Sequence, residues 1–232
     1  MSPRVLLTPF LLAALVACSD SITTTGSQDV QLSVLNALSA NDVATTTLDG
    51  ELLLLPSSGQ STGFPIAAGA HRLEARNAGG QVLASLNFSD PSGSHRTVVV
   101  AGSVSRSVSL LSTLDTASIP PANAAKIRVI HTVSDAPPLN ALLFLTGAAA
   151  DSGAGFVTPF SYGVGTNPEF PGYAVRPLGT YTVRAVTPGA NATVVEAQVV
   201  LGNGQLWSVV LVRNAAGTLE FRPVREGGQQ LQ

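Results

Sequence analysis

A serine between two glycines is the first feature whose spacing matches a catalytic motif. Residues 59–63 read Gly-Gln-Ser-Thr-Gly, the G-x-S-x-G pattern that surrounds the nucleophile of many serine hydrolases. In those enzymes a strand precedes the serine and a helix follows it, so that a strained turn exposes the hydroxyl. Here Pro56 precedes the motif and Pro65 follows it, which predicts loop on both sides. Ser61 is therefore kept as a remote candidate for a serine hydrolase, and we expect a protein that is not an enzyme.

His131 and Asp135 are the next side chains that could bind a ligand. His131 has the same parity as Ile127 and Val133, so its ring is expected on the apolar face of a strand. A buried polar ring needs hydrogen-bond partners, and the backbone of the following turn is the nearest source. Asp135, close to Pro137, is expected to cap its own turn. A structural role is therefore predicted for both residues, with ligand binding as the alternative.

Metal and cofactor chemistry finds little support in the sequence. A metal site normally needs three protein ligands, and the chain has 3 His and 1 Cys in all. Glycine pairs at 153–155 and 163–165 do not complete G-x-G-x-x-G, the phosphate-binding pattern. We predict no metal, no cofactor and no catalytic residue.

Aromatic side chains are concentrated in one Gly/Pro/Ser-rich stretch, the loop 147–173. Five of the 12 aromatic residues (8 Phe, 3 Tyr, 1 Trp) lie in it: Phe156, Phe160, Tyr162, Phe170 and Tyr173. Binding residues are often carried on long loops, so these rings are candidates for contact with a carbohydrate or a peptide. The alternative is that they cover an open end of a β-sandwich.

The single cysteine, Cys18, follows a short apolar segment at residues 5–17. This segment is too short to span the roughly 30 Å hydrocarbon layer as a helix, but it suits a signal peptide. It ends in Leu-Val-Ala-Cys, which resembles the bacterial lipobox, where the cysteine receives lipid before cleavage. We therefore expect a signal peptide at 1–17, a lipid on Cys18 and a flexible tether at 18–29.

Lipidation determines the predicted location of the protein. Two or more acyl chains suffice for stable membrane anchoring, so the mature protein is expected in the cell envelope. The residue after Cys18 is Ser19 and not an aspartate, which favours the outer membrane if the organism has two membranes.

Composition narrows the class of protein further. Charged residues make up 11% of the chain, against about 25% in an average soluble domain. The net charge of -2 provides no basic surface, which argues against nucleic acid as a partner. A hydrophobic content of 45% is too high for a chain that is disordered throughout.

The body of the chain has the two-residue period of β-strands. Arg72, Glu74 and Arg76 alternate with apolar residues and are predicted to share a solvent-facing side. The runs 97–100 and 208–212 are apolar on both parities, which predicts strands buried on both faces. Turn signals about every 8–12 residues are typical of an all-β sandwich. No amphipathic helix is found.

The two halves of this β-rich body resemble each other. Three segments align: 32–39 with 127–134 at an offset of 95, and 68–75 with 178–185 and 97–100 with 207–210 at an offset of 110. We therefore predict two tandem β-sandwich domains of immunoglobulin-like or transthyretin-like type. The expected boundaries are 30–114 for the first domain, 115–125 for a linker, 126–225 for the second domain and 226–232 for a flexible tail.

The opening of the second repeat carries a family resemblance. Ile127 to Pro137 (IRVIHTVSDAP) is similar to V-R-V-[VI]-[HN]-A-S-P-D-A-P, the first motif of domain of unknown function 4397. Tyr173 to Val183 resembles the later motif of the same family, Y-x-x-[LV]-x-x-G-x-Y-x-[VL]. The resemblance is clear from Ala125 to about Pro223, and the first copy is degenerate, with Asn36 in place of His131. It implies a β-sandwich on a secreted or surface-anchored bacterial protein, and no known activity.

Together these features predict a lipid-anchored cell-envelope protein with a non-enzymatic structural, adhesion or interaction role. The alternative is an accessory lipoprotein that binds carbohydrate or peptide through the loop 147–173. The expected partners are the membrane, through the lipid on Cys18, and an envelope protein or polysaccharide.

Overall fold

The computed structural model describes residues 30–38, 42, 44–105, 107–114, 120–148, 155–162 and 172–226. The predicted signal peptide, Cys18, the tether, Phe170 and residues 227–232 lie outside these ranges. Every regular element in the described part is a β-strand, which confirms the all-β prediction.

Sixteen strands make up the described chain, eight in each half. The first half contains β1 (Val30–Leu38), β2 (Thr45–Leu48), β3 (Glu51–Leu53), β4 (Ser61–Ile66), β5 (Gly69–Arg76), β6 (Val82–Asp90), β7 (His95–Ser103) and β8 (Ser107–Leu114). The second half contains β9 (Ala124–His131), β10 (Leu139–Leu145), β11 (Gly155–Phe160), β12 (Ala174–Pro177), β13 (Gly179–Val186), β14 (Thr193–Leu201), β15 (Leu206–Arg213) and β16 (Leu219–Glu226). The strands of the second half thus extend slightly beyond the expected limits of 126 and 225.

Each half folds into two four-stranded sheets with the same connectivity. Sheets A and B of the first half have the orders β4-β1-β7-β8 and β3-β2-β5-β6. Sheets C and D of the second half have the orders β12-β9-β15-β16 and β11-β10-β13-β14. The pairs β1–β7 and β9–β15 are parallel, and the other pairings within these sheets are antiparallel. The sequence repeat is therefore also a repeat of topology.

Sheets A and B enclose the first apolar core, and sheets C and D enclose the second. The first core is built from Val30, Leu32, Val34, Leu38, Ile66, Leu73, Ala75, Phe88, Val98 and Val100. The second includes Ile127, Val129, Leu139, Leu143, Phe160, Tyr181, Val183, Val209, Leu211 and Phe221. On the outside of sheet B, Arg72 and Arg76 both form ion pairs with Glu74, so the three charged residues share one side of β5 as predicted. Glu74 is nevertheless buried, at 8% exposed, and does not face solvent.

A third apolar core lies between sheets A and C and is called here the joint. Its members are buried residues from both halves: Leu35, Ala37, Val99, Ala101, Leu111, Ile130, Val210, Val212 and Val224. The joint explains the runs that are apolar on both parities, because Val98 faces the first sandwich core while Val99 faces the other half. The two sandwiches therefore pack as four stacked sheets in the order B, A, C, D.

The joint also corrects the alignment of β7 with β15. Leu35 of β1 pairs with Val99, and its equivalent Ile130 in β9 pairs with Val210. All four side chains lie in the joint, so the offset between these strands is 111 and not 110. A slip of one residue would exchange the two faces of the strand.

The additional residue lies in the turn between β13 and β14. Paired Val186 and Thr193 enclose six residues, 187–192. The equivalent pair in the first half, Arg76 and Val82, encloses five, 77–81. Because this turn precedes β14 and β15, both strands are displaced by one position relative to the first repeat.

Candidate functional site

Ser61, the serine of the G-x-S-x-G motif, lies at the joint between the halves. It begins strand β4, so the predicted loop after the motif is wrong: a strand follows, and not the helix of a nucleophile elbow. Its hydroxyl donates a hydrogen bond to the backbone carbonyl of Arg225, 2.9 Å away in β16. Gln60 beside it forms a bridge with Arg225. This serine connects the first half to the second.

His131 is fully buried at the end of β9, on the apolar side that its parity predicted. Its Nδ1 accepts a hydrogen bond from the amide of Val133 at 3.3 Å, and its ring lies edge-on to Phe160 at a centroid distance of 5.0 Å. Burial lowers the pKa of His131 to about 4, so the ring is neutral at pH 7. Asn36, the equivalent residue of β1, likewise accepts a bond from the amide two residues on, that of Leu38. The ring of His131 therefore stabilises the end of its own strand. Because the ring is fully buried, the alternative prediction that His131 lies on a ligand-binding surface is wrong.

Asp135 is exposed and belongs to an ion pair that the sequence alone does not predict. Its Oδ1 accepts hydrogen bonds from Nη2 and Nε of Arg213, at 2.9 and 3.3 Å. The guanidinium also donates through Nη1 to the carbonyl of Gly217 at 2.6 Å. Arg213 is the last residue of strand β15. Its charge directly after an apolar run is the one signal in the sequence that could have identified Arg213 as a candidate site residue.

Asp135 and Arg213 form one side of a cleft between the halves, called here the junction cleft. Its volume is about 270 Å³. The first half lines it with Gly102, Ser103, Ser107 and Ser109, and the second half with Thr132, Val133, Ser134, Asp135 and Arg213. The cleft exists because the joint brings the ends of β7 and β15 to the same side of the molecule.

The aromatic residues of the loop 147–173 do not form one surface. Phe160 is fully buried in the second core, where it contacts Phe221, so its predicted place on a binding surface is corrected to a core position. Phe156 is half-buried, with the guanidinium of Arg176 5.6 Å from its ring centroid. Tyr162 is 42% exposed. Phe170 lies outside the described residues.

Tyr173, the last of these aromatics, belongs to a buried polar group called here the Arg128 cluster. Its hydroxyl donates to Oε2 of Glu226 at 2.6 Å, and its ring lies 4.3 Å from the guanidinium carbon of Arg128. Arg128 donates from Nη2 to the other oxygen of Glu226 at 3.0 Å and from Nε to the hydroxyl of Ser208 at 2.7 Å. The Ser208 hydroxyl donates to Glu226 in turn. The cluster ties β9, β15, β16 and the chain entering β12 together.

A second ionisable pair lies on the other sandwich, at the outer side of sheet B. Nδ1 of His71 lies 2.7 Å from a carboxylate oxygen of Asp49, and Nε2 lies 2.8 Å from the carbonyl of Ala67. The hydrogen bond to Asp49 is the largest influence that raises the pKa of His71 above 6.5, and the same bond lowers the pKa of Asp49. Because both ring nitrogens face acceptors, the structure favours the protonated ring.

Comparison with known families assigns the first half of the chain. The domain of unknown function DUF4397 matches residues 30–142. Residues 30–142 thus form a DUF4397-like domain. The DUF4397 match covers the whole first sandwich and reaches into β10, whereas the motifs of the sequence analysis are clearest in the second repeat. A comparison with curated proteins gives no match.

Solved structures with some likeness to this chain come from bacteria. One is the multi-modular glycogen-degrading pneumococcal virulence factor SpuA, at 8% identity and a TM-score of 0.25 over 82% of this chain and 21% of that one. The TIE protein of Bacillus anthracis has 12% identity and a TM-score of 0.24 over 80% and 34%. Family 41 carbohydrate-binding modules of streptococcal virulence factors have 10% identity and a TM-score of 0.25 over 78% and 93%. The chain thus spans about a fifth and a third of the first two proteins, and at this level of similarity nothing is inferred from the three.

Two features are absent from the described ranges of the chain. Within them, no three His, Cys, Asp or Glu residues come close enough to hold a metal ion. In the same ranges no helix has the length and apolar character needed to cross a membrane.

Proposed function

We propose that this chain is a lipid-anchored protein of the bacterial cell envelope that acts through binding or structural contact and not through catalysis. The joint between sheets A and C is the observation that carries the proposal. Nine buried apolar residues pack the two sandwiches against each other, so that the tether would present one body and not two independent domains. Ser61 fits this proposal, because its hydroxyl proton is engaged by a backbone carbonyl across the joint.

The lipid anchor is tested by metabolic labelling with a palmitate analogue. The sequence Leu-Val-Ala-Cys at 15–18 supports lipidation of Cys18. The variant Cys18→Ala is expected to lose the label, while Ser19→Ala, the neighbouring control, retains it. Labelling that persists in Cys18→Ala would refute the anchor. Separation of inner and outer membranes then tests the location, for which Ser19 favours the outer membrane.

The binding role is tested by crosslinking on intact cells, followed by capture of the anchored protein. We expect an envelope protein or polysaccharide to be captured with wild-type protein. Ser61→Ala should capture the same material and lose about 1 kcal/mol of stability, the usual contribution of one hydrogen bond. Esterase activity present in the wild type and absent from Ser61→Ala would instead favour the hydrolase.

A second candidate function is carbohydrate or peptide binding through the loop 147–173. The exposed ring of Tyr162 is the observation that favours it. Deletion of residues 147–171 would also remove β11 and the buried Phe160, so a point substitution is the cleaner test. Tyr162→Ala should weaken capture of the partner, and Val175→Ala, at a similarly exposed apolar position, should not. Equal capture by both variants would remove this candidate.

A further inference from the structure

The junction cleft is lined by hydroxyl groups that are open to solvent. Ser107 and Ser134 are exposed and Ser109 is half-buried, and all three line the cleft. The hydroxyl of Thr132 donates to the carbonyl of Leu211 at 2.7 Å and keeps lone pairs that can accept. A ligand with several hydroxyl groups could both donate to and accept from this set.

The two charged residues among the described lining of the cleft favour a neutral ligand. Asp135 and Arg213 are 2.9 Å apart, so the anion and the cation largely neutralise each other. The guanidinium is also held by the carbonyl of Gly217 at 2.6 Å. A charged ligand would have to separate this pair or approach a like charge. A neutral polyol could instead accept from Arg213 and donate to Asp135 while the pair remains intact.

The size and apolar content of the cleft limit the ligand further. Its 270 Å³ lies just below the range of about 300–1,000 Å³ of small-molecule sites, which suits one small ring. Val133 is the one described lining residue with a large apolar side chain, and none of those residues is aromatic. Recognition here would therefore rest on hydrogen bonds and not on stacking.

We propose that the junction cleft binds a single neutral sugar unit of an envelope polysaccharide. This inference rests on the proposed binding function, and it places the contact at the boundary of the two halves and not on the aromatic loop. Serines of β7 and β8 face Asp135 and Arg213 of the second half across the cleft. The site would therefore require both repeats in their packed arrangement.

Ligand-observed NMR on the mature lipidated protein in detergent micelles tests the site, with N-acetylglucosamine, glucose and galactose as probes. We expect saturation transfer to at least one of the three. Asp135→Asn preserves the size of an exposed side chain while removing its charge, and should weaken binding about tenfold or more. Ser109→Leu should fill the cleft and abolish binding. Ser85→Leu, on the outer face of sheet B, is the matched control and should bind as the wild type does.

Three outcomes would overturn the inference. If none of the probe sugars binds while intact cells still yield a captured partner, the sugar site is refuted and the proposed function stands. If a sugar binds equally to wild type, Asp135→Asn and Ser109→Leu, the site lies elsewhere on the protein. If neither a sugar nor a captured partner is found, the proposed function fails with the inference.

Discussion

Replacement of Arg128 by methionine tests whether the buried Arg128 cluster stabilises the second sandwich. The side chains of Arg128 and Glu226 are 2% and 3% exposed, and their charged atoms lie 3.0 Å apart. Methionine retains much of the apolar stem of arginine but removes the charge and the donors. The carboxylate of Glu226 would then remain buried without its cation.

The loss in the free energy of unfolding that we expect for Arg128→Met follows from this geometry. At an effective dielectric constant of about 20, unit charges 3 Å apart attract each other by about 5.5 kcal/mol. Removal of one member of a buried pair generally costs about 3–5 kcal/mol. Two hydrogen bonds to Glu226 survive the substitution, from Tyr173 and Ser208, which places the expected loss near the lower limit, about 3 kcal/mol.

Arg184 offers a matched control on the surface. It pairs with Glu196 at 2.8 Å, and its guanidinium lies 5.0 Å from the ring centroid of Phe144, so its contacts resemble those of Arg128. Its side chain is 23% exposed and that of Glu196 is 51% exposed. Exposed ion pairs contribute about 0–1 kcal/mol, so Arg184→Met should lose less than about 1 kcal/mol.

Urea unfolding followed by the fluorescence of Trp207 measures both variants. Trp207 is the one tryptophan of the chain and precedes Ser208 of the cluster in β15. The double variant Arg128→Met/Glu226→Met should recover most of the loss, because it leaves no unpaired buried charge. Equal losses for Arg128→Met and Arg184→Met, or a double variant less stable than Arg128→Met, would refute the reasoning.

Two other predictions concern the first sandwich and the hairpin at the cleft. The pKa of His71 is raised by Asp49, so their interaction stabilises the fold below about pH 6.5 and is lost as the pH rises through the folded-state pKa. His71→Gln should therefore lower the urea midpoint most at acidic pH, and a deficit independent of pH would contradict this. Gly102 has a φ of +107°, and an added Cβ would lie 2.2 Å from the carbonyl oxygen of Ser107. Gly102→Ala should lose more than about 3 kcal/mol of the free energy of unfolding. The control Gly204→Ala, at a φ of +70° with no atom within 4 Å of the added Cβ, should lose about 1–2 kcal/mol. Similar melting temperatures for the two variants would contradict the steric argument.

The sequence predicts a strand's faces where polar and apolar residues alternate. Arg72, Glu74 and Arg76 established the outer face of β5 in this way. The run 97–100 contains no such marker, because one of its faces is buried in a sandwich and the other in the joint. An alignment based on apolar character alone therefore could not distinguish an offset of 110 from one of 111.

Contacts between residues that lie far apart in the sequence could not be predicted from the sequence either. Asp135 and Arg213 are 78 positions apart and meet because β9 and β15 are paired in parallel. Phe160 looked like a loop aromatic, yet it pairs with Leu139 on the edge of sheet D and enters the core. Composition located the aromatic loop, but strand pairing decides which of its rings are buried.

The joint has a consequence for either half on its own. Leu35 and Ile130, Val99 and Val210, and Ala101 and Val212 occupy equivalent positions of the two repeats, and all six lie in the same interface. A chain shortened to one repeat would therefore expose to water the apolar side chains that it contributes to the joint. Because contiguous exposed apolar surface favours association, we expect such a shortened chain to be less soluble than the full chain.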